Sequence, residues 1–273
     1  MICLFIKHHV MIWTVSLFFV LAQPPFVASD SGVLQDLEVH IIDVGQGDSI
    51  FIKLPNQQNM LIDAGDSRSA PVVIEYLESE SVEKIDYLFV THHHYDHIGG
   101  IPAVIDRFDI GSLYIPKISL AEVTLNEDEF EVIVAKAGMN IFFSPDLQIE
   151  ILAPVRDDYA NLNNHSIVLK LIYGATSFLF MGDAEAISER DLVGDISVDV
   201  LKVGHHGSSA ATTQTFLNRV APAYAVISVG TNNLGYPCNN VLKRLANAGV
   251  DVFRTDLHGT VVFKSDGVGV MKY

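Results

Sequence analysis

Apolar positions along this chain fall into two recurring patterns. Short runs of strand type occupy 37–44, 48–54, 85–90, 147–152, 166–172, 176–180, 198–203, 223–229 and 259–264. Between some of them, stretches with helical spacing occupy 70–80, 101–107, 127–137, 184–191, 212–220 and 239–248. Each half of the chain reads as hairpin strands followed by strand–helix units. That order predicts the α/β class, with a two-layered β core and helices outside. No Gly/Ser/Pro linker, charge block or short repeat divides the span, so a single domain over 36–273 is expected.

The N-terminal segment follows a different rule. Residues 10–22 (VMIWTVSLFFVLA) hold only two polar residues, Thr14 and Ser16. Lys7, His8 and His9 precede them, and Pro24, Pro25 and the small-residue stretch Val27-Ala28-Ser29 follow. A membrane-spanning helix needs roughly 17–25 apolar residues. The shorter run with these flanks predicts a signal peptide over 1–29, export to the periplasm or the extracellular medium, and no membrane attachment after cleavage, with an uncleaved N-terminal anchor as the alternative.

Composition then narrows the function classes. The chain has 273 residues, 49% hydrophobic and 18% charged, which excludes global disorder. Its 17 Lys and Arg stand against 33 Asp and Glu, a formal net charge of -16. Tight duplex binding depends on neutralising phosphates with Lys and Arg, so no stable nucleic-acid complex is expected, although local cleavage remains compatible. The two cysteines, Cys3 and Cys238, provide neither a disulfide framework nor a Cys-based zinc ribbon.

Histidine carries the chemistry. Six of the eleven histidines lie in two segments, THHHYDHIGG at 91–100 and GHHGS at 204–208, each directly after an apolar strand. Side chains leaving a strand's C-terminal end sit on a rigid base, where reactive groups tend to be placed. His92 and His94 alternate and so point the same way in an extended stretch. His93, between them, is expected to point away. Asp96 and His97 follow where the chain turns toward Gly99-Gly100. Imidazole and carboxylate suit zinc, manganese or iron. Asp63, at the end of NMLIDAG, and Asp183, at the end of FLFMGD, also stand where strands run into glycine turns. A carboxylate there is costly to bury unless it is paired or metal-bound.

Together these blocks resemble the metallo-β-lactamase superfamily, and within it the C-terminal domain of ComEC-type DNA-uptake competence proteins and their stand-alone relatives. The pieces are IIDVGQGDSIFI (41–52), LIDAGD (61–66), THHHYDHIGG, NNHSIVLKL (163–171), FLFMGDAE (178–185), LKVGHHGSS (201–209) and TDLHGTVVF (255–263). The resemblance implies an αββα sandwich with a site for two divalent metal ions, zinc or manganese, at one edge of the sheets. It implies His92 and His94 on the first ion. Asp96, His97 and one histidine of 204–208 would hold the second, and Asp183 would bridge the two. His205 is expected as that ligand, because His206 stands one position further from the strand end and is less well aimed. Asp63 would position the metal-bound water or a ligand, and His206 would face the substrate.

Two departures from the superfamily pattern bear on this site. Many members supply a further histidine to the first ion. Here that region reads NNHSIVL, so His165 stands open as a ligand, while the competence subgroup commonly has a polar, non-histidine residue there. That subgroup also commonly shows a G-H-P-H stretch, where this chain has Tyr236 and Cys238 in NNLGYPCNN.

The expected activity is a secreted metal-dependent hydrolase of phosphodiesters, small or polymeric, using metal-bound hydroxide. His206 or His258 would protonate the leaving group, and Ser208, Ser209 and the backbone after Gly207 would hold a phosphoryl oxygen. The alternative is another ester class on the same metals: thioester, lactone or β-lactam. No G-x-S-x-G elbow supports a serine mechanism.

Overall fold

A computed structural model describes residues 35–120 and 130–273, so the leader expected over 1–29 lies outside the described residues. The first sheet takes β1 (Leu37–Ile41), β2 (Ile50–Lys53), β3 (Asn59–Ile62), β4 (Lys84–Phe89), β5 (Asp109–Pro116) and β6 (Glu131–Ala135). The second takes β7 (Asn140–Ser144), β8 (Leu147–Ala153), β9 (Val168–Tyr173), β10 (Thr176–Phe180), β11 (Val200–Lys202), β12 (Tyr224–Ile227) and β13 (Asp251–Arg254). The chain then returns through β14 (Val261–Ser265) and β15 (Val270–Lys272) to complete the first sheet in the order β15-β14-β1-β2-β3-β4-β5-β6. The second runs β13-β12-β11-β10-β9-β8-β7.

Packing explains why so many strands are apolar on both faces. Val39, Ile52 and Phe263 of the first sheet meet Ile149, Leu169 and Phe178 of the second in a core between the sheets. The outer face of the first sheet, with Leu61, Leu88 and Leu113, packs on Val73, Leu77 and Val104. Those three residues come from α1 (Ala70–Ser79) and α3 (Ile101–Arg107); between these helices lies the short α2 (Tyr95–Ile98). The outer face of the second sheet packs on Phe216, Leu217 and Leu245, with further contacts from Leu192. Its helices are α4 (Ala186–Asp191), α5 (Gln214–Val220) and α6 (Asn239–Asn247), and α7 (Thr255–His258) follows. The layers are therefore helix, sheet, sheet, helix, as expected. Fully burying one such Leu or Phe is worth about 1.5–3 kcal/mol.

One element differs from expectation. Residues 127–137 carry a helical pattern in sequence, but Glu131–Ala135 form β6, paired parallel to β5. The run Val132-Ile133-Val134 is β-branched throughout, which favours a pleated, half-buried edge over a helix. Among the described residues no helix is long and apolar enough to cross a membrane.

Strand direction places the site. β3 runs parallel to β4, and β10, β11 and β12 run parallel to one another. Their C-terminal ends therefore release Asp63, His92, Asp183, His206 and Ser228, one strand end each, into the connecting loops.

Candidate metal centre

Asp183 is the residue around which the others gather. It is 2% exposed, and its two carboxylate oxygens face different partners. Oδ1 lies 3.2 Å from His97 Nε2 and 3.4 Å from His206 Nε2. Oδ2 lies 3.7 Å from His92 Nε2 and 3.7 Å from His205 Nε2. His206 Nε2 is also 3.3 Å from Asp96 Oδ2, and His92 Nε2 is 3.0 Å from His94 Nδ1. Two ligand atoms roughly 2.0–2.1 Å from one tetrahedral zinc sit about 3.3 Å apart, so most of these spacings match edges of a coordination polyhedron.

The buried atoms support the same reading. His97 Nε2, His206 Nε2 and Asp183 Oδ1 are buried, face one another and make no hydrogen bond. Orphaned polar atoms are costly inside a protein, and a cation satisfies all three together. Ligand atoms of His92, His97 and Asp183 fall within 4.8 Å of one another, as do those of Asp96, His97 and His206. No thiolate takes part. The donor set is imidazole and carboxylate, which fits zinc or manganese.

Outer contacts hold each group. Asp63 is fully buried and accepts from Thr91 N at 2.8 Å and Thr91 Oγ1 at 2.6 Å, and it stands 2.7 Å from His97 Nδ1. It therefore orients the His97 ring rather than facing open solvent. His206 Nδ1 donates to Ser228 O at 3.0 Å. Asp183 N donates to Ser166 Oγ at 3.0 Å. Gly182, at φ 51, sits where a Cβ would be 3.0 Å from Thr91 Cβ and 3.1 Å from Ser166 Cβ.

Charge in the cluster is divided unevenly. Burial, reinforced by His97, pushes His92 well below 6.5 and leaves it neutral, the form that ligates. For His97 burial opposes the charge, but Asp183 and Asp63 outweigh it and hold its pKa well above 6.5. Asp183 stays far below the usual carboxylate range despite its burial, because His97 and His206 face it. Burial raises Asp63.

The geometry exchanges the two histidines of 204–208. His206, not His205, stands with Asp96 and His97, 1% exposed. His205 turns its Nδ1 to Glu185 Oε1 at 3.1 Å and Asn163 Nδ2 at 3.3 Å, with its side chain 16% exposed. Both residues are left-handed, His205 at φ 48 and His206 at φ 50, so strand alternation does not predict where either points.

Other expectations are placed as follows. His165 Nε2 is committed to Tyr159 O at 2.9 Å and lies outside the ligand groups. His258 Nδ1 is tied to the Arg254 backbone at 2.9 Å on the surface. Ser208 N already donates to His205 O at 2.7 Å, so it is not free to hold a phosphoryl oxygen. His93 turns to Ser119 Oγ at 3.0 Å, away from the centre, as alternation predicts. The Tyr236 ring stands 5.4 Å from the His205 ring, while Cys238 is the residue just before α6 and gives it no side-chain cap. Sequence reasoning passed over Glu185, although its place two residues after Asp183 in GDAE was a signal, and over Asp48 and Lys202, discussed below.

A family model described as the metallo-beta-lactamase superfamily matches residues 42–231. The chain belongs to that superfamily. Among curated proteins it is 33% identical over 255 residues to ComE operon protein 3 of Bacillus subtilis, an alignment covering 83% of this chain and 33% of that protein. The chain thus spans about a third of the length of the curated relatives it matches. Among solved structures the superfamily fold recurs in Igni18, a metallo hydrolase of Ignicoccus hospitalis, with TM-score 0.58, 17% identity, and coverage of 84% of this chain and 99% of that one. It recurs again in a diphosphatase of the PhnP family, with TM-score 0.51, 16% identity, and coverage of 84% and 99%.

Proposed function

We propose that this chain is a metal-dependent hydrolase that cleaves phosphodiester bonds at a centre for two divalent ions. The observation that carries the reading is the set of buried, unpaired atoms on His97, His206 and Asp183. In this reading His92 and His94 hold the first ion, Asp96, His97 and His206 the second, and Asp183 reaches both. Divalent ions here would supply a water nucleophile at neutral pH and offset charge on the phosphoryl oxygens.

The chain's own residues supply the rest. Asp63 fixes the His97 ring. Glu185 fixes His205 through Nδ1 and leaves Nε2 toward Asp183 and the partly open side, where it can pass a proton to a leaving oxygen. Tyr236 limits the space around His205. An all-oxygen-and-nitrogen donor set suits phosphoryl oxygens, and a diphosphatase is among the proteins that share the fold. The ions are zinc or manganese, the substrate is small or polymeric, and no lasting nucleic-acid complex forms. We further propose that the protein is exported after loss of residues 1–29; an intact N-terminus on the exported protein would exclude this.

The test is a substrate screen of the zinc- or manganese-loaded protein against bis(p-nitrophenyl) phosphate, single-stranded DNA, a thioester, a lactone and a cephalosporin. Hydrolysis of the phosphodiesters, abolished by chelator, is expected. Efficient cephalosporin or lactone turnover with the phosphodiesters untouched would overturn the substrate class.

A further inference from the structure

Behind the candidate centre lies a pair of opposite charges that this chemistry does not use. Asp48 sits in the turn between β1 and β2, and Lys202 is the last residue of β11. Both side chains are 1% exposed, and Lys202 Nζ stands 2.8 Å from Asp48 Oδ2 and 3.1 Å from Val203 O. The other oxygen of Asp48, Oδ1, is buried and makes no hydrogen bond. It lies 3.5 Å from His206 Nδ1, the nitrogen on the far side of the ring from Asp96 and Asp183. The Asp48 backbone is equally committed. Its N–H donates to Asp96 O at 3.1 Å, and its carbonyl accepts from Gly65 N at 2.8 Å. Gly47, at φ 142, permits that approach, since a Cβ there would lie 2.4 Å from Asp96 O.

Asp48 therefore touches both His206 and the backbone of Asp96. Ligand atoms of Asp48, Asp63 and His97 also fall within 4.8 Å of one another. That group is nonetheless poorly suited to a third ion. Lys202 occupies one oxygen of Asp48, and Thr91 together with His97 occupies Asp63. A pair buried this deeply is a poor source of stability, because desolvating two charges costs several kcal/mol each and apolar replacements are often neutral or better. Its geometry has another consequence. The outer nitrogen of His206 gives its hydrogen bond to Ser228 O at 3.0 Å, and the Asp48 carboxylate 3.5 Å from the same nitrogen adds its charge to that support of the ring.

We propose that the Asp48–Lys202 pair positions the second ion's ligands: Asp48 supports the ring of His206 beside Ser228 O and holds the backbone beside Asp96, and Lys202 balances the charge of Asp48. This rests on reading Asp96, His97 and His206 as metal ligands. The test measures zinc stoichiometry and affinity by competition with a chromophoric chelator, and thermal unfolding in EDTA. The proteins are the wild type, Asp48→Asn, Lys202→Met and the double variant.

The wild type should bind two zinc ions. Asp48→Asn should keep the first and bind the second about 10–100-fold more weakly, the range typical for lost outer contacts. Lys202→Met should lower Tm in EDTA by stranding a buried carboxylate. The double variant strands no charge, so its Tm in EDTA should recover while its second-ion affinity stays low. A purely structural pair would restore both, so wild-type affinity in the double variant overturns the inference. The double variant also carries the test if a single variant does not fold. A wild type that binds no zinc overturns the ligand reading itself, and the inference falls with it.

Discussion

His205 and His206 are neighbours in sequence with opposite surroundings, and their substitutions should separate accordingly. His206→Ala removes an imidazole from between Asp96 and Asp183, so zinc content should fall by one ion per chain. His205→Ala leaves the Asp96-His97-His206 group intact. It should keep that second ion while turnover of bis(p-nitrophenyl) phosphate falls about 10²–10⁴-fold, the usual worth of one positioned acid or base. Metal analysis alongside steady-state kinetics checks both, and loss of the second ion from His205→Ala would reverse the assignment. Apart from Glu185, the remaining site residues stood out in the sequence because each lies in a block that follows an apolar strand. Which of these two faces Asp96 was not legible, because both take left-handed backbone, φ 48 and φ 50, and a chain turning that way abandons alternation. Asp48 and Lys202 escaped for a different reason. Their partnership spans 154 positions and only the folded sheets bring them together.

Between elements, single side chains do the joining. Glu189 on α4 is 2% exposed and accepts from Thr213 N at 3.0 Å, Thr213 Oγ1 at 2.8 Å and Thr212 N, pinning the start of α5. Glu189→Ala leaves those donors without their acceptor, at a cost of about 1–3 kcal/mol. Its Tm should drop by several degrees, with Glu189→Gln in between. On β1, His40 is 3% exposed and stands 2.7 Å from Tyr76 OH and 3.2 Å from Glu38. Burial holds its pKa below 6.5, and Lys264 and His40 together hold Glu38 below 4.5 against the effect of its own burial. Both groups bind protons more readily when unfolded, so stability should fall as pH drops below about 6.5 and again below about 4.5. Urea midpoints in EDTA at several pH values check this. His40→Gln should lessen the first decline, leaving the share that His92 contributes, and weaken the second, which Lys264 still supports; an unchanged first decline would remove His40 as a cause. Elements with long apolar runs, such as β8 to β12 and the helices α1, α3, α5 and α6, were readable for the same reason they are stable: they bury a face. β7, β13 and β15 were not, since each lies at a sheet edge and is only partly buried, nor was β5, whose first half, Asp109-Ile110-Gly111-Ser112, interrupts the apolar run; β6 was misread because its spacing suited a helix while its β-branched residues suited an edge.

For the molecule as a whole, charge governs which substrates reach the centre. The net charge of -16 repels a polyanion at long range, whereas a small diester carries little charge for that field to act on. Salt shortens the reach of the field, from about 30 Å at 0.01 M to about 8 Å at 0.15 M. Raising sodium chloride across that interval should therefore increase kcat/KM for a single-stranded oligonucleotide several-fold while changing it less than about twofold for bis(p-nitrophenyl) phosphate. A protein built to hold nucleic acid through Lys and Arg behaves in the opposite sense, because salt weakens phosphate contacts by replacing released counterions. A rate on the oligonucleotide that falls with salt would thus reveal a local basic track overriding the net charge and would mark a nucleic acid as the preferred substrate. A rate that rises, with the small diester level, would mark a centre open to short phosphodiesters and to polymers only in passing.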